Sequence, residues 1–139
     1  MRIFARLFAI LVLVLLPGVS VAGPVHFDGS WQTTVSCEPS RGALGFSYRF
    51  LGEVKGGNFH GLHGAENQPG YLMVDGAISD DGSANLYATG KTGAKEYVPG
   101  RETAPGTEYG YHIKAQFNDR SGTGTRVEGR PCTFEFERK

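Results

Sequence analysis

The two cysteines of this chain, Cys37 and Cys132, restrict its fold more than any other feature. Cys37 lies in the first stretch of alternating apolar and polar residues, and Cys132 lies in the last such stretch. In an exported protein such a pair can form a disulfide bond. A bond between the first and last strands predicts a sheet whose edges meet, which is a closed or nearly closed β-barrel. Closing so long a loop would contribute about 4–5 kcal/mol to stability on chain-entropy grounds.

Residues 1–22 have the layout of a secretory signal peptide. Arg2 and Arg6 form a basic start, residues 7–16 are an unbroken apolar run, and residues 20–22 are small enough for a cleavage site. The apolar run is shorter than the roughly 20 residues that a membrane-spanning helix needs. We therefore predict a signal peptide over residues 1–22 and one domain over residues 23–139. We expect a periplasmic or extracellular protein that has no membrane anchor after cleavage.

The charge of the predicted domain argues against two classes of partner. The whole chain has 14 basic and 14 acidic residues, and loss of Arg2 and Arg6 would leave a formal charge of −2. No block of basic residues is present in the rest of the chain. Nucleic acid and an anionic membrane surface are therefore not expected as partners, because both attract clustered lysines and arginines.

Alternation with a period of two residues recurs between turn signals from residue 31 to residue 138, which is typical of strands with one buried face. The predicted strands cover residues 31–37, 44–55, a stretch that begins at 58, 71–79, 84–91, 108–117 and 123–138, with a short candidate at 96–101. Seven or eight such strands, joined by short loops, predict an all-β antiparallel up-and-down barrel. A β-sandwich with the disulfide across or between its sheets is the alternative.

Glycine positions predict where the strands turn and in which register they pair. Residues 56–57 are both glycine, which predicts a two-residue hairpin with Val54 opposite Phe59. Pro131 cannot donate a ladder hydrogen bond, so we expect a bulge or break at that position.

A three-residue loop over residues 80–82 is the second predicted turn. It places Ile78 opposite Ala84 and keeps apolar residues on one face, whereas a slip of one residue would mix the faces. The same alternation predicts that Leu44 and Val127 point into the barrel.

Motifs for catalysis and metal binding are weak in this sequence. Residues 90–92, Gly-Lys-Thr, match the end of a phosphate-binding loop, but Asn85 stands where that motif needs its first glycine. His60 and His63 are three residues apart, so on one strand they face opposite sides and cannot share a metal ion. His60 is better explained as a cross-strand neighbour of Glu53. We predict no catalytic residue, no metal and no cofactor. A small hydrolase is the third hypothesis, because the fold can bring together two carboxylates that are far apart in the sequence.

Aromatic residues are the strongest candidates for binding. Core packing accounts for inward aromatic side chains, but a buried tyrosine hydroxyl needs a hydrogen-bond partner. Several tyrosines in one small barrel therefore indicate a polar end or an open mouth. We predict a ligand site rimmed by residues 64–70 and 92–106 and formed by five aromatic side chains that share the predicted interior: Trp31, Phe46, Tyr48, Tyr109 and Tyr111.

Residues 27–31, Phe-Asp-Gly-Ser-Trp, with Cys37 shortly after, resemble the Gly-x-Trp start of the first strand in the calycin barrels, the lipocalins and avidins. The whole chain after residue 22 resembles small uncharacterised secreted β-rich domains of proteobacteria. Those domains have a similar opening, a Tyr-x-Tyr strand as at 109–111, a Gly-Thr-Gly-x-Arg turn as at 122–126, and Arg-Pro-Cys as at 130–132. This resemblance implies an exported β-rich domain and no particular activity.

These observations lead to two binding hypotheses. In the first, the protein is a secreted or periplasmic, non-enzymatic binding protein that holds a small apolar or aromatic ligand inside the barrel. In the second, its loops or an open sheet edge bind a protein or a cell-wall component, as an enzyme inhibitor would. The sequence names neither the small molecule nor the protein partner.

Overall fold

The computed structural model describes residues 16–18, 26–100 and 103–139. Apart from residues 16–18, the predicted signal peptide lies outside these ranges. The described residues form a closed antiparallel barrel of eight strands in sequence order. The strands are β1 (Gly29–Cys37), β2 (Phe46–Lys55), β3 (Asn58–His63), β4 (Leu72–Ala77), β5 (Ser83–Lys91), β6 (Glu108–Phe117), β7 (Ser121–Arg126) and β8 (Cys132–Arg138). A short 3-10 turn, Lys95–Tyr97, lies between β5 and β6.

The first and last strands close the barrel. β1 pairs with β2 on one side and with β8 on the other, and Cys37 is directly opposite Cys132 in the β1–β8 ladder. The two cysteines form the disulfide bond. The predicted barrel and disulfide are therefore confirmed. The β-sandwich alternative is wrong, because every strand pairs with two neighbours in a single sheet.

No helix among the described residues has both the length and the apolar character that crossing a membrane would require. The disulfide bond is compatible with a periplasmic or extracellular location, since such bonds persist in oxidising compartments.

Both predicted turns have the expected register. Val54 pairs with Phe59 across the glycine hairpin, whose two glycines have φ values of 56° and 78°. Ile78 pairs with Ala84 across the three-residue loop, in which Gly82 has a φ of 85°. Positive φ values of this size favour glycine because a Cβ atom would clash with the backbone.

The two ends of the barrel differ in the length of their connections. At one end, here named the closed end, the strands are joined by short turns at residues 56–57, 78–82 and 118–120. At the other end, here named the open end, the connections span residues 38–45, 64–71, 92–107 and 127–131. The disulfide lies at the open end, where β1 finishes and β8 begins.

The chain before β1 covers the closed end. The carboxylate of Asp28 accepts hydrogen bonds from the backbone N–H groups of Gly56 and Gly57, at 2.9 and 3.0 Å. The indole N–H of Trp31 donates to the backbone carbonyl of Phe27 at 2.8 Å, and both side chains are buried. Residues 27–31 therefore have a structural role at this end.

Aromatic packing fills the barrel next to the closed end. The ring of Phe117 lies 5.3 Å from that of Trp31 and 4.6 Å from that of Phe136, centroid to centroid. Phe59 adds a further contact with Phe136 at 5.4 Å. Gly52 leaves the space that this packing needs, because a Cβ atom there would lie 2.4 Å from the ring of Phe59.

Several details of the strand prediction are wrong. Leu44 and Val127 are each 53% exposed, whereas the alternation places them inside. The loop 38–45 is held by other bonds: the N–H of Leu44 donates to the carbonyl of Glu96, so β2 begins only at Phe46. The candidate strand at 96–101 overlaps the 3-10 turn instead. The last predicted strand is two strands, β7 and β8, separated by residues 127–131, and the break expected at Pro131 lies within this segment.

Candidate ligand site at the open end of the barrel

A cavity of about 530 Å³ lies at the open end. Its interior wall includes Phe46 and Tyr48 at the start of β2, His63 at the end of β3 and Tyr109 near the start of β6. The open-end connections supply the rest of the lining. A volume of several hundred cubic ångströms suits a small organic molecule.

Alternation along two strands produces the aromatic wall. Phe46 and Tyr48 are two residues apart on β2, so they share the inner face, and their rings stack at 5.6 Å with an interplanar angle of 5°. Tyr109 and Tyr111 repeat this arrangement on β6, at 6.1 Å and 4°. The ring of His63 stacks on Tyr48 at 3.9 Å. The site therefore offers flat apolar surface from β2, β3 and β6.

The tyrosine hydroxyl groups add polar atoms to this wall. Within the described part of the chain, the hydroxyls of Tyr48, Tyr109 and Tyr111 form no hydrogen bond with another group. Burial raises the pKa of each of these three phenols above its ordinary value. The groups therefore stay protonated at physiological pH and can donate or accept a hydrogen bond without carrying charge.

Arg130 is a buried cation that organises the rim. Its guanidinium donates to the backbone carbonyls of Tyr97 at 2.7 Å, of Leu44 at 3.0 Å and of Glu38. The side chain is only 8% exposed and lies over the ring of Phe46, 5.0 Å from its centroid. Burial, with a smaller contribution from the neighbouring Arg126, lowers the pKa of Arg130. Arg130 thereby joins its own connection, residues 127–131, to the connections 38–45 and 92–107.

Arg126 is the second arginine of the cavity wall. Its guanidinium lies over the ring of Tyr111, with the central carbon 3.9 Å from the ring centroid. Its Nε donates a hydrogen bond to the carbonyl of Glu128. This cation–π contact and this hydrogen bond hold the guanidinium in one orientation at the end of β7.

The five aromatic residues predicted for the ligand site do not lie together. Phe46, Tyr48 and Tyr109 line the cavity, and Tyr111 lies directly beneath Arg126 in the wall. Trp31 is fully buried near the closed end and does not line the cavity. The loops predicted as a rim do contribute, through Gly70 in the first loop and through residues of the 92–106 loop.

The sequence-based prediction missed Arg126 and Arg130. Gly122, Gly124 and Arg126 alternate on one face of β7, and the pattern of burial shows that this face points inward. That alternation could have revealed Arg126 as an inward cation. Arg130 lies in a connection rather than a strand, so no periodic pattern marks it.

Two of the histidines outside the cavity, His60 and His112, form pairs with carboxylates on the outer surface. His60 lies opposite Glu53 in the β2–β3 register, as expected, but its ring nitrogen forms its hydrogen bond with Asp75. His112 bonds to Glu128 in the same way. Among the residues that the structure describes, no three His, Cys, Asp or Glu side chains are placed to hold a metal ion.

A second concavity, of about 1150 Å³, lies on the outer surface near the closed end. Outward side chains such as Gln32, Thr34 and Glu135 line it, and its charged groups are of both signs. It has no aromatic wall, since the ring of Phe136 is buried in the barrel. We interpret this region as solvated outer surface.

No family model, no curated protein and no solved structure matches this chain. The fold and the cavity define its class as a disulfide-closed, eight-stranded antiparallel barrel with one open end.

Proposed function

We propose that this protein is an exported, non-enzymatic binding protein that holds one small molecule with an aromatic or apolar body. The observation that carries the proposal is the open-end cavity of about 530 Å³, walled by Phe46, Tyr48 and Tyr109. The interior near the closed end is filled by aromatic packing, so the room for a ligand is at the open end.

The tyrosine hydroxyl groups support binding over simple core packing. A tyrosine hydroxyl packed in a core needs a hydrogen-bond partner from the protein, whereas a hydroxyl that faces a cavity can bond to water or to a ligand. Here Tyr48 and Tyr109 have no protein partner within the described residues and line the cavity. Water or a ligand that enters the cavity would satisfy both groups.

The chemistry of the cavity supports binding over catalysis. The phenols have raised pKa values, which makes them weak nucleophiles and weak proton donors at neutral pH. Burial lowers the pKa of His63, whose ring stacks on Tyr48. None of the hydrogen bonds formed by the described residues links a hydroxyl nucleophile to His63, as a catalytic pair would require.

Native mass spectrometry of the full protein, purified from its own host, tests this proposal. We expect a retained small molecule that Tyr48→Ala releases and that Tyr48→Phe keeps, because the ring supplies most of the contact. Tyr87→Ala is the matched control, since Tyr87 is an exposed tyrosine on the outer face of β5. Repeated preparations without a bound molecule, together with no binding of added aromatic compounds, would contradict the proposal.

A second candidate function is binding of a protein through the rim. Leu44 and Val127 are exposed, as is Tyr97, and all three lie in connections of the open end. Exposed apolar side chains at one end of a molecule are a common feature of protein interfaces. Leu44→Ser would then weaken a protein complex and leave small-molecule binding unchanged. Leu51→Ser is its control, because Leu51 is equally apolar and exposed but lies on β2.

A further inference from the structure

The charges that line the open-end cavity are unbalanced. The described lining residues include four cationic side chains, Arg41, Lys91, Arg126 and Arg130, and one carboxylate, Glu108. None of these cations forms an ion pair among the described residues, whose ion pairs all lie elsewhere. Charge that is partly removed from water is costly unless an opposite charge accompanies it. The cavity therefore favours a ligand that brings negative charge.

Arg126 is placed to receive that charge. Stacking on Tyr111 and the hydrogen bond from Nε to Glu128 fix the plane of its guanidinium. Its two terminal nitrogens, Nη1 and Nη2, have no hydrogen-bond partner within the described residues. A fixed guanidinium with unused N–H groups matches the two oxygens of a carboxylate or a phosphate.

Arg130 adds positive charge that attracts an anion, but its own N–H groups are not available to bind the ligand. Its N–H groups are directed at three backbone carbonyls, and its Nε is buried without a partner. Carbonyls are neutral, so they satisfy its hydrogen bonds but leave its charge uncompensated. Burial and, to a smaller extent, repulsion from Arg126 lower the pKa of Arg130, and a bound anion would relieve that repulsion.

We propose that the ligand is an amphiphile with one oxyanion, which binds Arg126 at the open end while the apolar or aromatic body lies against Phe46, Tyr48 and Tyr109. This inference rests on the proposed function and specifies its ligand. The hydroxyls of Tyr48 and Tyr109 are neutral donors that can hydrogen-bond the same oxyanion. Carboxylates and phosphate esters share the required chemistry, so the experiment has an arm for each.

Four probes with one aromatic body separate the contribution of charge from that of the ring. They are 2-naphthoate, 2-naphthyl phosphate, 2-naphthalenemethanol and 2-naphthylmethylammonium, and calorimetry or naphthalene fluorescence measures their dissociation constants. We expect the better of the two anions to bind at least about 10-fold more tightly than the alcohol, because charge-assisted hydrogen bonds are the stronger ones. The ammonium probe should bind more weakly than the alcohol. The ratio between the two anions identifies the preferred oxyanion.

Variants of Arg126 test the site itself. Arg126→Gln should weaken the preferred anion roughly 10-fold or more and leave the alcohol within about 2-fold. Arg126→Lys keeps the charge and loses the planar fork, so its affinity should fall between those of the wild type and Arg126→Gln. Arg120→Gln is the matched control, because it removes the same charge from an exposed position at the closed end. Circular dichroism confirms that each variant is folded.

The outcomes separate this inference from the proposed function. Equal binding of the anions and the alcohol, or unchanged anion affinity in folded Arg126→Gln, would overturn the oxyanion inference and leave the aromatic site intact. If none of the four probes binds the wild-type protein and the protein from its host carries no ligand, the proposed function fails and this inference with it.

Discussion

Replacement of Arg130 by methionine tests how the open end keeps its shape. Methionine is unbranched and apolar and reaches about as far as the Nε of arginine, but it has no N–H groups. The change therefore removes the hydrogen bonds to the carbonyls of Glu38, Leu44 and Tyr97, which lie in two different connections of the open end. Residues 38–45 and 95–98 should then lose their side-chain hydrogen bonds to Arg130, while the backbone bond from the N–H of Glu38 to the carbonyl of Pro131 remains.

The size of the effect follows from these three bonds. A hydrogen bond from a charged donor contributes about 1.5–3 kcal/mol. The total is reduced because water can reach carbonyls at a rim and because the buried guanidinium no longer has to be desolvated. We expect Arg130→Met to lower the free energy of unfolding by about 2–4 kcal/mol. For a domain of this size, that corresponds to a fall in Tm of roughly 8–16 °C.

Two measurements check this expectation. Urea and thermal unfolding, followed by circular dichroism, give the loss of stability. Hydrogen exchange with mass spectrometry locates it: exchange should be faster at residues 38–45 and 95–98 and unchanged at the closed-end turn 56–57. Arg120→Met is the control, because Arg120 is exposed at the closed end. Unfolding midpoints and exchange rates equal to those of the wild type would refute the role given to Arg130.

Three further perturbations test other parts of the structure. Gly52→Ala places a Cβ atom 2.4 Å from the ring of Phe59, so urea unfolding should show a loss of about 1–3 kcal/mol from overpacking. Asp28→Ala removes two hydrogen bonds to the 56–57 turn, and hydrogen exchange of that turn should become faster; unchanged exchange would contradict this. Burial lowers the pKa of His63 below 6.5, so the unfolded chain binds this proton more readily. The contribution of His63 to stability is therefore complete above pH 6.5 and is lost as the pH falls below it, and His63→Gln should weaken this pH dependence.

Much of the barrel follows from local rules that the sequence displays. Alternation identified most strands, because a strand with one buried face must place apolar residues at every second position. The two glycines of the 56–57 turn determined its register, since few other residues accept positive φ at both positions. The disulfide followed from the positions of Cys37 and Cys132 in the first and last strands.

The open end was less predictable because long-range contacts determine it. Leu44 continues the alternation of β2, yet its backbone bonds to Glu96 and Arg130 hold it outside the barrel. The sequence shows no sign of such contacts, since their partners are far away along the chain. Trp31 and Tyr48 both point inward, and only the direction of each strand decides which of them reaches the open end.

Chemical-shift mapping tests most directly whether the ligand enters the open end of the barrel. Titration of the isotope-labelled protein with 2-naphthoate, followed in ¹H–¹⁵N correlation spectra, shows which amide groups sense the probe. We expect saturable shifts at the start of β2, at the start of β6 and in residues 126–130, with the closed-end turns unaffected. Shifts that cluster instead around Trp31 and the 56–57 turn, or on the outer surface, would contradict it.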